Sequence, residues 1–300
     1  MNSLMTKIKG IVALMRPHQW LKNMFIFLPL FFGGRLLDPW SWQVSLVAFI
    51  SFSSIASSIY CFNDIFDVVA DRLHPQKKTR PLASGIINKY TSYLIMLLLL
   101  IVAVLVIFFF GGEHKKWELA ILSTYYIMNL LYTVKLKHYP LIDVFIIALG
   151  FVLRVVIGGV SAEVILSHWI ILMTFLLALF LGFAKRRDDV LIYQATGIEA
   201  RKKVKRYNLE LLNLYLTILA GIIVVSYIMY TVSDEVIKHF HNQYLYVTAA
   251  FVLFGIFRYL QITLVDNKSG SPTKVLMKDF VIQFCILAWV LTFAMIIYVL

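Results

Sequence analysis

Apolar residues run along this chain in long blocks separated by short polar ones. Nine blocks stand out, at about 20–37, 45–63, 91–110, 117–134, 141–160, 166–184, 209–231, 244–265 and 280–299. Each approaches the length of about 20 residues that a helix needs to cross a bilayer. The pattern therefore predicts an all-α, polytopic membrane protein, with nine transmembrane helices in one integral domain over 1–300. No polar connection is long enough for a soluble domain. Two connections are unusually long and charged, at about 64–90 and 185–208. In the first, His74-Pro75 and Pro81 act as helix breakers.

Composition agrees with this reading. Hydrophobic residues make up 61% of the chain and charged residues 15%, outside the range of soluble domains. The net charge of +12 then needs an explanation. Alternating sides through nine spans from an inside N-terminus puts 23 Lys and Arg inside and 5 outside. The outside group is Arg35, Lys115, Lys116, Arg154 and Lys238. That asymmetry predicts a cytoplasmic N-terminus and an exported C-terminus. It also makes much of the basic charge a topology signal, so no nucleic-acid partner is expected. No small-residue cleavage site follows the first apolar patch, so a signal peptide is not expected. Cys61 and Cys285 both lie in apolar blocks, which predicts two buried thiols rather than a disulfide.

The most informative polar feature is Asn63-Asp64-Ile65-Phe66-Asp67-Val68-Val69-Ala70-Asp71. On a helix, Asp64, Asp67 and Asp71 fall at i, i+3 and i+7, on one face. Three like charges on one face repel, and a divalent cation removes the objection. Hard oxygen ligands suit Mg²⁺, and Asn63 can add a neutral oxygen. Arg72, Lys77, Lys78 and Arg80 follow directly. Carboxylates, a metal ion and Arg or Lys donors together can hold a diphosphate. The competing reading is a solvated loop at a helix end, but the carboxylates begin inside apolar sequence.

Other groups carry weaker signals. Lys185-Arg186-Arg187-Asp188-Asp189 opens the second charged connection, and Arg201 to Arg206 closes it. Asp188 and Asp189 point about 100° apart on a helix, so one of them is the candidate for a second Mg²⁺, with Lys185 or Arg186 on phosphate. Asp143 and Arg154 lie inside the fifth block, where ionisable groups are costly and face the bundle interior. They stand about 16 Å apart along a helix, too far to pair. Asp143 is near the inside boundary, within reach of a basic loop residue. Two readings of Arg154 stand: contact with a phosphate, or snorkelling outward. At the start of the first block, Gln19, Lys22 and Asn23 fall at i, i+3 and i+4 on one helical face, after Pro17 and beside Trp20. An interface anchor explains Trp20 and Lys22; a substrate role also explains Gln19 and Asn23. His74, His138, His239 and His241 show no zinc-ligand spacing. No nucleotide-binding glycine loop or Ser-His-Asp motif sits in a suitable context.

Taken together, these motifs resemble the UbiA superfamily of intramembrane prenyltransferases over nearly the whole chain. The resemblance rests on Asn63-Asp64-x-x-Asp67-x-x-x-Asp71, Arg80-Pro81-Leu82-Ala83-Ser84-Gly85, Tyr132-x-x-x-x-Lys137 and the acidic position after the sixth block. It implies nine helices around a cytoplasmic-facing cavity. Arg16-Pro-x-Gln19-Trp20-x-Lys22-Asn23, His74-Pro75-x-Lys77-x-x-Arg80 and Lys185-Arg186-Arg187-Asp188 are similar to the decaprenyl-phosphate phosphoribosyltransferase branch. The chain departs from the superfamily's usual second motif, two Asp spaced along one helix face.

That branch implies Mg²⁺-dependent transfer of 5-phosphoribose from phosphoribosyl pyrophosphate to a polyprenyl phosphate at the inner face of the cell membrane. The implied metal ligands are Asn63, Asp64, Asp67, Asp71 and Asp188. The implied substrate contacts are Gln19, Lys22, Asn23, Lys77, Arg80, Tyr132, Lys137, Arg154, Lys185 and Arg186. Asp64, Asp67, Lys22 and Arg80 would lie nearest the chemistry. The alternative is an aromatic prenyltransferase using the same carboxylates on a prenyl diphosphate. A transporter would place its carboxylates near the bilayer midplane, whereas these cluster at the inside ends of blocks. Prenyl chain length is not legible, and a homo-oligomer is compatible with the sequence.

Overall fold

The computed structural model describes residues 2–73, 77–196, 207–267 and 272–298. The expected helix breaker His74-Pro75 and the basic run Arg201 to Arg206 lie outside the described residues. Among the described residues the chain is helical, without strands. The α-helices are α1 (Asn2–Met15), α2 (Leu28–Phe32), α3 (Pro39–Leu73), α4 (Lys89–Phe110), α5 (Lys115–Val134), α6 (Ile142–Ser161), α7 (His168–Thr196), α8 (Leu209–Thr231), α9 (Asp234–Phe240), α10 (Ala249–Leu264), α11 (Pro272–Lys278) and α12 (Phe280–Tyr298). A 3₁₀ helix over Pro17–Phe27 precedes α2, and another over Tyr244–Thr248 leads into α10.

Among the described residues, seven helices are long and apolar enough to cross a membrane: α3, α4, α6, α7, α8, Tyr244–Leu264 and α12. The two other expected spans differ for separate reasons. The block at 20–37 is not one long helix. Arg16 takes a left-handed backbone (φ 53°) and ends α1. Pro29 has no N–H for an α-helical bond to Phe25, and its ring would crowd that carbonyl. The chain answers with eleven residues of 3₁₀ helix and the five-residue α2. The block at 117–134 is helical as α5 and 20 residues long, but Lys115, Lys116, Glu118 and Asn129 lower its apolar character.

Two charged segments expected in connections are helical instead. Helix α3 runs 35 residues to Leu73, about 52 Å at 1.5 Å per residue. That exceeds a hydrocarbon core of about 30 Å, so the Asp-bearing turns extend its polar end. Helix α7 likewise continues through Lys185 to Thr196.

The chain forms two compact units. The first comprises Met1–Lys137 and Gly150–Leu166, and the second His138–Leu149 and Ser167–Leu300. In the first, α3 packs against α1, α4, α5 and the Pro17–Phe27 segment. Buried serines make this close approach possible. Ser51 donates to the Ala103 carbonyl (2.6 Å) and Ser58 to the Met96 carbonyl (3.0 Å), both on α4. Phe52, Ile55, Ile59, Ile107, Leu122, Tyr125 and Ile157 fill the core around them. In the second unit α7 packs on α8, α8 on α10, and α10 on α12. Large apolar side chains such as Leu98, Phe108, Val225 and Leu291 are exposed, as a lipid-facing surface requires. Cys61 and Cys285 are free and buried, as expected.

Gly158 on α6 sets how closely the 3₁₀ segment approaches. A Cβ there would stand 2.0 Å from the Ile26 carbonyl oxygen. Gly158→Ala should therefore destabilise the detergent-solubilised protein by about 1–3 kcal/mol, the usual cost of overpacking. Gly221→Ala is the control: nothing lies within 4 Å of its added Cβ, and the melting temperature should not fall. Thermal unfolding followed by intrinsic fluorescence checks both.

Candidate active site

The carboxylates of α3 gather cations from three other parts of the first unit. Asp64 is 2% exposed. Its Oδ1 accepts from the Arg16 guanidinium and from Arg80 Nη1 at 3.2 Å. The same Arg80 nitrogen donates to Asp71 Oδ2 at 2.6 Å. Asp67 turns to a different partner: Lys137 Nζ donates to both its oxygens, at 2.8 and 2.9 Å. The single acidic face expected of the helix exists, but its members are divided: Arg16 and Arg80 serve Asp64 and Asp71, and Lys137 serves Asp67. Asn63 Oδ1 accepts from the Thr133 hydroxyl on α5.

Local sequence explains how each cation arrives. Arg16 precedes the 3₁₀ segment at its left-handed kink and stacks over the Tyr60 ring, 5.0 Å from its centroid. Arg80 sits on a turn closed by Ser84 N–H to the Arg80 carbonyl (2.9 Å) and Ile87 N–H to the Pro81 carbonyl (3.0 Å). Gly85 takes φ +82° to complete it. Leu82 anchors the turn by packing with Ile65 and Val68 of α3. Lys137 lies on a short 3₁₀ turn, Leu136–His138, after α5, with its ammonium 5.3 Å from the Phe66 ring centroid.

Asp64 Oδ2 is buried and has no hydrogen-bond partner. A buried anionic oxygen without a donor is costly, and it is the chemistry a hard cation would satisfy. Among the described residues, no three carboxylates, histidines or cysteines converge as a ready cage. The donor types nevertheless fit Mg²⁺: Asp64 Oδ2 faces no protein donor, with Asn63 beside it in sequence and Asp67 about one turn further along α3.

The polar group at the chain's start is divided by its backbone. In a 3₁₀ helix residues three apart eclipse one another, and a residue four along is about 120° away. Gln19 and Lys22 therefore share a face, half-buried and exposed respectively. Asn23 does not join them. It is 1% exposed, donates to Ser53 Oγ (2.9 Å) and accepts from Arg154 Nε (2.8 Å). Arg154 does not snorkel. Its guanidinium also donates to the Gly150 carbonyl (2.6 Å) and the Tyr125 hydroxyl (2.9 Å). Tyr132 and Lys77 are half-buried in this unit.

In the second unit Arg186 is the buried centre. Its Nε donates to Asp143 Oδ2 (2.8 Å) and its Nη1 to Asp189 Oδ2 (2.6 Å). Asp143 thus meets a basic residue, as expected, though one on α7. Tyr207 donates to Asp143 Oδ1 (3.2 Å) and accepts from the Leu141 N–H (2.6 Å). Burial pushes the Tyr207 hydroxyl up to about 12, so it stays a donor at neutral pH. Arg187 is held by Asn213 and Asn267. Lys185 is exposed and Asp188 half-buried. Sequence reasoning missed Arg16 as a site residue, because it stands among Lys7, Lys9 and Lys22 as one more topology charge. It also missed Tyr125, Thr133 and Tyr207, for which the sequence carries no signal.

These features define a polytopic helical membrane protein with a buried carboxylate–cation cluster at the polar end of its longest helix. The chain belongs to the UbiA prenyltransferase family, whose family model matches residues 24–285, and it is a transferase. It is 31% identical to a decaprenyl-phosphate phosphoribosyltransferase of Mycolicibacterium smegmatis, covering 97% of this chain and 93% of the relative. It is 30% identical to the protein of the same name from Corynebacterium glutamicum, covering 97% and 87%. A UbiA homolog from Archaeoglobus fulgidus, solved bound to DMAPP and Mg²⁺, shares the fold with a TM-score of 0.71 at 20% identity, over 97% of this chain and 100% of that one.

Breaking the Arg186 network leaves two carboxylates without their shared cation. Arg186→Gln should lower stability by about 3–5 kcal/mol, as for other buried pairs. Adding Asp143→Asn should recover part of the loss, and thermal melts of the two variants check the order.

Proposed function

We propose that this protein transfers 5-phosphoribose from phosphoribosyl pyrophosphate to a polyprenyl phosphate and releases pyrophosphate. The observation that carries the reading is the likeness, over nearly the full length, to relatives bearing the phosphoribosyltransferase name. The first unit's cluster supports it chemically. An oxygen of the acceptor phosphate forms the new bond to the anomeric carbon. The bond from that carbon to the pyrophosphate oxygen breaks, and pyrophosphate leaves with the electron pair. The acceptor is already an anion, so no general base is needed.

Arg80 and Lys77 are the proposed contacts for pyrophosphate oxygens, where guanidinium and ammonium donors strengthen as charge develops. Lys137, seated on Asp67, and Tyr132 are proposed to bind a phosphate of donor or acceptor. Gln19 and Lys22 share the 3₁₀ face and are proposed for the phosphate of the lipid. Arg16 holds Asp64 Oδ1 and leaves Oδ2 open. The residues that would hold Mg²⁺ are Asp64 and Asp67, with Asn63 and Asp71 beside them; bound there, the ion would neutralise charge on the leaving pyrophosphate. Within the second unit, Lys185 is proposed as a phosphate contact and Asp188 as a metal contact, each to be tested by its own substitution.

Asp64→Asn should reduce turnover by at least tenfold, in line with loss of several kcal/mol of transition-state stabilisation, and should weaken Mn²⁺ binding measured by electron paramagnetic resonance without substrates. Purified protein should release pyrophosphate from phosphoribosyl pyrophosphate only when a polyprenyl phosphate is supplied. Transfer from a prenyl diphosphate to an aromatic acid, with none from phosphoribosyl pyrophosphate, would overturn the assignment in favour of an aromatic prenyltransferase.

The reading includes nine crossings with a cytoplasmic N-terminus and a cytoplasmic-facing site in the cell membrane, with Pro17–Phe32 and α5 as the crossings beyond the seven. It follows from the distribution of Lys and Arg. Cysteines replacing Lys77 and Lys115 should react with impermeant maleimide from opposite sides of the membrane, Lys77 from the cytoplasm. Labelling of both from one side would refute this topology.

A further inference from the structure

Arg154 lies among membrane-crossing residues, is 5% exposed, and makes its hydrogen bonds to neutral groups: the Asn23 side chain, the Gly150 carbonyl and the Tyr125 hydroxyl. Three aromatic rings surround its guanidinium carbon, those of Phe52 (4.8 Å), Tyr125 (5.0 Å) and Phe151 (5.3 Å). A buried cation is expensive in such a place, and apolar packing of the same volume would serve stability as well or better. What the guanidinium adds is direction. From α6, its Nε donates to the Oδ1 of Asn23, which lies inside an eleven-residue 3₁₀ segment, a length that 3₁₀ geometry rarely sustains unaided.

The surrounding contacts act on that same segment. Phe151 of α6 meets Phe25 edge-on, with centroids 5.0 Å apart. Gly158, one turn after Arg154, touches the backbone of Ile26. On the α3 side, Ser53 accepts from Asn23 and Ser57 accepts from Trp20. Asn23 is thus clamped between α3 and α6 at the residue directly after Lys22. The opposite end of the segment delivers Arg16 to Asp64.

We infer that Arg154 is a positioning residue: through Asn23 it fixes the register of the Pro17–Phe27 segment, and so the place of Gln19 and Lys22 where the lipid phosphate binds. This rests on the phosphoribosyl-transfer reading for its kinetic consequence, but not for its structural one. Arg154→Lys keeps the charge while losing the planar fork that reaches three acceptors at once. Asn23→Ala removes the other half of the clamp.

Two measurements test it on the full-length protein in detergent. The first is the rate at which a thiol reagent labels Lys22→Cys; the two native cysteines are buried. Adding Arg154→Lys or Asn23→Ala should change that rate at least threefold. The second is steady-state kinetics of the Arg154→Lys and Asn23→Ala single variants. KM for polyprenyl phosphate should rise about tenfold, the loss of one charge-assisted contact, while KM for phosphoribosyl pyrophosphate moves less than twofold. Unchanged labelling overturns the proposal. So does changed labelling with both KM values unchanged, or a lowered melting temperature with neither readout altered. If the wild type does not use phosphoribosyl pyrophosphate at all, the functional reading fails, and the labelling rates alone still decide whether Arg154 sets the segment.

Discussion

A carboxylate sealed at the end of a membrane helix is the constraint on which the first unit depends. Asp64 is almost fully buried, and an anion there is tolerable only with cations close by. Arg16 and Arg80 supply them. Each requires its own device: a left-handed kink ahead of a 3₁₀ segment for Arg16, and a turn pinned by Leu82 for Arg80. The long serine-lined α3 brings these devices together, since hydroxyls bonded to neighbouring backbone let α4 and the 3₁₀ segment approach closely. One oxygen of Asp64 is left without a donor, and that unmet demand is what a reactive site can use.

The second unit solves the mirror-image problem. Its buried centre is a cation, Arg186, flanked by Asp143 and Asp189 and backed by the Tyr207 hydroxyl. The Asp64 and Arg186 clusters thus both hold their buried ions in networks whose members come from different elements. Such networks specify geometry at some cost in stability. Arg154 extends the logic to a cation held by neutral dipoles and aromatic faces, where direction rather than charge balance is gained.

Much of this was legible in the chain. Block lengths gave an all-helical membrane protein, and the Asp spacing gave a polar helix end with cations downstream. The motifs around Asp64, Arg80 and Lys137 pointed to the family that the comparisons establish. The i, i+3, i+7 argument also held, because α3 is helical through Asp71.

The sequence by itself determined the apolar blocks, the residues rich in charge and their order, because hydropathy and helical period act over a few neighbouring positions. Only tertiary structure decided which acceptor each cation meets, because those partners lie far apart in sequence: 48 residues for Arg16 and Asp64, 70 for Lys137 and Asp67, 131 for Arg154 and Asn23. It also decided that the segment at Pro17–Phe27 is 3₁₀ rather than α. Gln19, Lys22 and Asn23 read as one face at 3.6 residues per turn and separate at 3.0. The contacts made on this segment by Gly158 and by the guanidinium of Arg154 come from far along the chain, where a local pattern cannot weigh them.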